Sequence, residues 1–306
     1  MRTNCFTLTW KIDSNEEGIL VREFLKEQNI SKTALTDIKF HGGKIIVNEK
    51  EVTVRYKLSE GDILKVIFPE EKPSEGVAGE EIPLEILYED EYLLVINKPS
   101  GMNTIPSREH PSGSLANALV GYYNKIGLIS TSHIVTRLDR DTSGIVLVAK
   151  YRHIHHLFSK QQKSGLVKRT YEAFAEGFFM QRQGKIEEPI ARKSNSIIER
   201  EVNPNGQYAC TYYKVIKEYS SFSHVQLQLE TGRTHQIRVH LSYLGHPLLG
   251  DNLYGGDTSI MKRQALHCCK LVFFHPFQKK DMEFRSEMPE DMRKLLLKSE
   301  KGLSGR

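Results

Sequence analysis

Two arginines and two aspartates crowd one short stretch, Arg137-Leu138-Asp139-Arg140-Asp141, after which Thr142-Ser143-Gly144 breaks the chain ahead of the apolar run Ile145-Val146-Leu147-Val148-Ala149. The run reads as a buried strand, so the charged loop is held against a core. If residues 137–139 are extended, Arg137 and Asp139 point one way while Leu138 points inward. One carboxylate then stands beside one guanidinium on a rigid base. A carboxylate so placed can stabilise a developing positive charge, attack an electrophilic carbon or take a proton, and it needs no cofactor to do so. The plain alternative is a solvated turn whose Asp and Ser side chains cap neighbouring amides.

The elements that must position this loop can be read outward from it. Ahead of it, residues 1–13 form a strand-like arm in which Phe6, Leu8 and Trp10 alternate with polar neighbours. From Ser14 the spacing turns helical, with Leu20, Val21, Phe24 and Leu25 on one face, and a second helix capped by Ser31 buries Ala34, Leu35 and Ile38 until Gly42-Gly43 ends it. Residues 45–47 and 52–54 read as a hairpin around Asn48-Glu49, and Gly61-Asp62 turns into a strand over 63–68. Five glutamates against one lysine, with Pro69, Pro73, Gly76 and Gly79, mark residues 69–83 as a flexible acidic linker that lets its flanking domains move.

Beyond the linker, strands over 84–88 and 92–97 flank Glu89-Asp90-Glu91, Lys98-Pro99-Ser100-Gly101 forces a turn, and 115–123 has helical spacing. The polar helix 151–163 carries His153, His155 and His156, which are assigned to the surface. His155 and His156 diverge by about 100° on a helix, and with no acidic ligand nearby no metal site is expected. A strand over 168–177 sets Tyr171, Ala173 and Ala175 on one face, and 184–196 reads as a hairpin region. Strands follow at 212–217 and 222–230. Thr231-Gly232 then opens a helix to Tyr243 or Leu244, placing Arg233, Ile237 and His240 on one face with Arg238 directed elsewhere. An apolar strand from Ala265 to Phe274, a charged helix over 290–299 and disordered final residues complete an α+β chain with a mixed or antiparallel sheet.

Composition is permissive. With 306 residues, 39% hydrophobic and 26% charged, the chain has room for two domains and a sizeable core. Its longest apolar runs, about six residues, fall well short of a membrane span, and its first ten residues lack the pattern of a secretory signal. A cytoplasmic monomer is expected. The four cysteines include no C-x-x-C pair and read as buried free thiols. A net charge of +5 allows a nucleic-acid partner without requiring one.

The segment 137–144, with Asn97-Lys98-Pro99-Ser100-Gly101 before it and Gly232-Arg233-Thr234-His235-Gln236-Ile237-Arg238-Val239-His240 after it, resembles the RluA-type pseudouridine synthases. Three motifs occur in the family's order, and the resemblance runs from about residue 84 to about residue 286. It implies isomerisation of uridine in structured RNA, ribosomal RNA first and transfer RNA second, with no cofactor and no metal. Asp139 matches the catalytic carboxylate and Arg233 the arginine that keeps it ionised. Tyr171 matches the tyrosine that stacks on the flipped uracil, Arg137 the arginine that enters the RNA as the base leaves, and Ile237 the apolar residue lining the same pocket. Asp141 is given a structural role. Thr136 departs from the histidine that often precedes Arg-Leu-Asp in the family, which bears on how Arg137 is oriented.

Residues 1–68 resemble, on a shorter pattern, the S4 RNA-binding domain, although nine Lys plus Arg balance nine Asp plus Glu between Ser14 and Phe68. The expected organisation is therefore an S4-like domain over 1–68, a linker over 69–83 and a catalytic domain over 84–306. Two other readings compete: a noncatalytic RNA-binding or ribosome-assembly protein on the same fold, and a base-releasing glycosidase, which would need a second carboxylate in the pocket.

Overall fold

The alternating pattern near the N-terminus and the apolar run behind the charged loop become strands of two different sheets in the computed structural model, which describes residues 5–73 and 76–303. The first sheet uses β1 (Thr7–Lys11), β2 (Lys44–Val47), β3 (Lys50–Glu51) and β4 (Ile63–Ile67), in the order β1-β4-β2-β3, with α1 (Val21–Glu27) and α2 (Lys32–Phe40) packed on it. All three pairings are antiparallel. Its core gathers Val21, Phe24, Leu25, Ile38, Leu64 and Val66. Ser31 caps α2 by accepting a hydrogen bond from the Ala34 amide at 3.1 Å.

Two local expectations are corrected here. The helix read from Ser14 starts later: Ser14–Glu16 is a single 3-10 turn, Gly18 takes a φ of +80°, and α1, which carries Val21, Phe24 and Leu25 on its buried face, begins at Val21. Residues 52–54 are not a strand. Asn48 and Glu49 both have positive φ and close a tight hairpin onto Lys50–Glu51. The chain then leaves the ladder to cap α1, with the Val54 and Tyr56 carbonyls accepting from the Arg22 and Val21 amides.

The second sheet follows in chain order as β5 (Ile86–Glu89), β6 (Leu93–Lys98), α3 (Leu115–Ile126), β7 (His133–Ile134), β8 (Ser143–Ala149), α4 (Arg152–Lys163), β9 (Lys168–Glu176), β10 (Gln183–Ile186), β11 (Ile190–Arg192), β12 (Arg200–Val202), β13 (Thr211–Glu218), β14 (Phe222–Leu229), α5 (Gln236–Tyr243), β15 (Leu266–His275), β16 (Lys280–Arg285) and α6 (Glu290–Leu303). Strand order is β10-β13-β14-β9-β15-β8-β6-β5, with β16 on β15 and β7 on β8. Only β15 and β8 run parallel among the described pairs, so the sheet is mixed and the architecture α+β. The hairpin read over 184–196 is split: β10 joins the sheet edge through β13, whereas β11 pairs with β12 as a separate ribbon.

Every residue of β8 is buried. At its start Gly144 has a φ of +117°, and a Cβ there would lie 2.3 Å from the Cys268 carbonyl oxygen and 2.6 Å from its amide. Only glycine lets β8 meet β15 at this point. The charged loop therefore emerges from the middle of the sheet.

His153 is not a surface residue. It is buried with its ring 5.1 Å from that of Phe68, while Phe6 stacks on Tyr151 at 4.6 Å, so the first sheet and α4 share an aromatic seam. Burial first, then His156, lowers the His153 pKa to about 4. The acidic segment after Phe68 does not hang free either. Glu71 meets His133 at 2.5 Å and accepts from the Arg152 amide at 2.6 Å, and the Asn117 side chain donates to the Ala78 carbonyl at 2.9 Å. Residues 74 and 75 of this segment lie outside the described residues, as do residues 1–4 of the N-terminal arm and 304–306 of the tail. Cys210 and Cys268 are buried free thiols; Cys5 and Cys269 are half-buried. No helix among the described residues is long and apolar enough to cross a membrane.

Candidate active site

Asp139 lies in the loop between β7 and β8, and that loop is fastened from three sides. Leu138 is buried, and its amide and carbonyl both bond the Thr104 hydroxyl, at 3.2 and 2.6 Å. The Thr142 amide donates to the Asp139 carbonyl at 3.1 Å, closing the turn. Beneath it, the fully buried Lys98 donates to the carbonyls of Pro99 and Met102 at 2.8 Å and of Arg140 at 3.1 Å. Burial pushes the Lys98 ammonium down to about 7, against the pull of Asp139 and Asp141. Asp141 pairs with Arg140 at 3.1 Å and so supports the turn. Thr136, buried, accepts from the Leu147 amide at 2.9 Å and thereby fixes the residue preceding Arg137 to β8.

The guanidinium beside Asp139 is that of Arg238. Its Nη1 donates to Asp139 Oδ2 at 3.3 Å, while its Nε and Nη2 grip the two oxygens of fully buried Asp251 at 2.7 and 2.8 Å. Its carbon face lies 4.9 Å over the Tyr254 ring. Burial works against the Arg238 charge, but the Asp251 and Asp139 carboxylates outweigh it and raise the pKa further. One cation thus bridges the two carboxylates. His235 stands 3.9 Å from Asp139 with its Nδ1 bonded to the Tyr254 hydroxyl at 2.8 Å. That hydroxyl also accepts from the Arg200 amide at 2.9 Å, which ties the His235 ring to β12. Burial lowers the His235 pKa, with Asp139 opposing.

This corrects the expectation for Arg233. Helix α5 begins only at Gln236, because His235 takes a left-handed φ of 58° and residues 231–235 form a turn. The buried Gln236 locks that turn, accepting from Thr231 Oγ1 and the Arg233 amide while donating to the Cys210 carbonyl. Helical periodicity therefore does not extend back to residue 233. Arg233 is exposed and donates from Nε to the Tyr208 carbonyl at 2.9 Å, away from Asp139. His240 is a core residue held between Thr211 Oγ1 and the Glu188 carbonyl. Only with the register set from 236 is Arg238 a helix-interior arginine, and a buried guanidinium there needs carboxylate partners such as Asp251.

Asp139, Tyr171, Arg137, Ile237 and Arg233 all line one cleft of about 1000 Å³, which Arg238, Arg169 and Ile197 also border. Tyr171, on β9, is buried with the Arg169 guanidinium 6.0 Å above its ring. Burial first raises its phenol pKa well beyond the ordinary value. Ile237 is buried at the cleft floor, and Arg137 stands exposed at its rim. Among the described residues no group of three His, Cys, Asp or Glu side chains is arranged to hold a metal ion.

A family profile described as RNA pseudouridylate synthase matches residues 92–243, which contain the Asp139 loop, Tyr171 and α5. The chain is 54% identical over 276 residues to the uncharacterised RNA pseudouridine synthase YjbO of Bacillus subtilis (strain 168), covering 90% of this chain and 98% of that protein. It is 38% identical over 267 residues to the ribosomal large subunit pseudouridine synthase D of Yersinia pestis, covering 83% and 82%. Among solved structures, human RNA pseudouridylate synthase domain containing 1 superposes with a TM-score of 0.57 at 25% identity, over 68% of this chain and 85% of that one. From the three motifs through the shared sheet to these relatives, the chain belongs to the RluA-type RNA pseudouridine synthases and is an isomerase of uridine in RNA.

Proposed function

We propose that Asp139 is the catalytic carboxylate of this enzyme and that Arg238, not Arg233, is the cation that keeps it ionised when RNA covers the cleft. The observation carrying this reading is the 3.3 Å contact between Arg238 and Asp139 in a guanidinium already anchored on buried Asp251. Isomerisation breaks the bond from ribose C1′ to uracil N1 and joins C1′ to C5. A proton is lost from C5 and one is gained at N1, so mass is unchanged. The sugar is electron-poor after the first cleavage, and the Asp139 carboxylate, held by Arg238, is the negative group placed to meet it. Asp139 stabilises that charge, attacks C1′ or takes a sugar proton. Tyr171 and Ile237 flank the flipped base, and Arg137 fills the gap it leaves in the RNA, since a planar guanidinium can both stack and bond to phosphate.

The substrate is ribosomal RNA on this reading, supported by the similarity to large subunit pseudouridine synthases. Residues 1–68 serve as an S4-like RNA-binding domain, 69–83 as the connection and 84–306 as the catalytic domain. On this reading the enzyme is a monomer that works in the cytoplasm without a metal. The experiment is site-resolved pseudouridine mapping of ribosomal and transfer RNA from cells carrying the wild-type gene, a deletion or the Asp139→Asn allele. Large-subunit ribosomal sites lost in both altered strains support the reading. Loss confined to transfer RNA overturns the substrate, and retention of all wild-type sites in the Asp139→Asn strain overturns the carboxylate.

A further inference from the structure

A second cleft, of about 390 Å³, opens beside the first and shares Gly232, Arg233 and Thr234 with it. Its other wall carries Arg192 and Arg200, and no Asp or Glu side chain lines it. These two arginines are direct cross-strand partners in the β11–β12 ribbon. Partners in an antiparallel pair project from the same face, and like charges placed opposite each other are destabilising unless something anionic lies between them. The same face carries Ile190 and Val202, which pack with Ala209, Val239 and Tyr254, so it is the face turned toward α5 and the turn that holds Arg233.

The local acceptors leave the three cations unneutralised. Among the described residues the Arg200 guanidinium donates only to the carbonyls of Ile198 and Glu199, at 3.1 and 3.0 Å, and the Arg233 guanidinium only to the Tyr208 carbonyl. Arg192 has no hydrogen bond or ion pair among the described residues. The carboxylates flanking Arg200 in sequence are engaged elsewhere: Glu199 pairs with Lys193 at 2.5 Å, and Glu201, on the opposite face of the ribbon, accepts from the Asn203 side chain. Resting on the reading that the main cleft processes RNA, we propose that Arg192, Arg200 and Arg233 bind backbone phosphates of the RNA strand as it leaves that cleft. Guanidinium forks match phosphate oxygens, and the shared wall makes the two clefts one continuous track.

The test compares wild-type protein with Arg192→Gln/Arg200→Gln, using a fluorescein-labelled stem-loop RNA with an all-uridine loop and titrating binding across salt concentrations. The expected result is a roughly tenfold weaker Kd at low salt and a log–log salt slope shallower by about 0.7–0.9 for each phosphate contact removed. Arg192→Lys/Arg200→Lys restores most of the slope. On purified large-subunit ribosomal RNA the double variant raises KM while kcat stays within about twofold of wild type. Unchanged Kd and slope overturn the proposal, as does a fall in kcat with KM unmoved. Arg192→Gln alone removes no contact in the free protein and leaves the melting temperature unchanged; a clear drop would make Arg192 a strut rather than a ligand. Wild-type protein that makes no pseudouridine would defeat the parent reading, and the salt slope would still decide this one.

Discussion

The last motif offers two arginines as partners for Asp139, and their environments separate their roles. Arg238 is buried, forked onto Asp251 and touching Asp139; Arg233 is exposed and bonded to a carbonyl. Arg238→Lys keeps the charge but loses the fork, and is expected to lower kcat by about 10²–10³ because the donor aimed at Asp139 is lost. Arg233→Ala is expected to act mainly on KM. Steady-state kinetics on the same RNA check the pair, and a larger kcat loss for Arg233→Ala would reverse the assignment. Asp251→Ala leaves a buried guanidinium short of its partner and should cost about 3–5 kcal/mol of stability, read by denaturant unfolding. That Asp139 and Tyr171 line one cleft was legible from motif and alternation. Arg238 was not, because the left-handed His235 and the Gln236 lock that delay α5 are set by contacts with residues 208–211, which sequence periodicity does not carry.

At the level of elements, the apolar run 145–149, the strand holding Tyr171 and the two N-terminal helices could be read because their periods match their burial. The splitting of β10 from β11 could not, since both candidate strands are short and their partners lie far along the chain. His153 was misplaced for a related reason: a helix rich in histidine and lysine looks solvated until the aromatic arm from residue 6 is seen lying on it. That burial has a pH signature. The His153 pKa is about 4 in the folded protein against an ordinary value near 6.5, so between these values the unfolded chain binds more protons. Stability is full above about pH 6.5 and is lost as pH falls toward 4, by up to about 3 kcal/mol. Urea unfolding of wild type and His153→Phe across pH 4–7 checks this, with the variant expected to lose that part of the slope. Gly144→Ala should destabilise the whole sheet, because its new methyl would meet the Cys268 backbone.

For the whole molecule, the first sheet and the catalytic sheet share an apolar core through Phe6, Phe68, Tyr92, Tyr151 and Phe277, and Glu71 ties the intervening segment down. An RNA-selecting domain on a loose tether was the expectation from an acidic, proline-bearing stretch, and composition alone does not register hydrogen bonds to distant residues. Deleting residues 1–70 is therefore expected to weaken RNA selection and also to lower the melting temperature, since it uncovers an aromatic seam at about 1.5–3 kcal/mol per large side chain. An unchanged melting temperature would show the seam to be dispensable. The central claim is that one carboxylate, Asp139, does the chemistry while the rest of the cleft binds. Its most direct measurement is single-turnover pseudouridine formation by purified wild-type and Asp139→Asn protein on ribosomal RNA from a deletion strain, with RNA affinity measured in parallel. The account predicts no detectable product from the variant and an affinity within several-fold of wild type; product formed at the wild-type rate would contradict it.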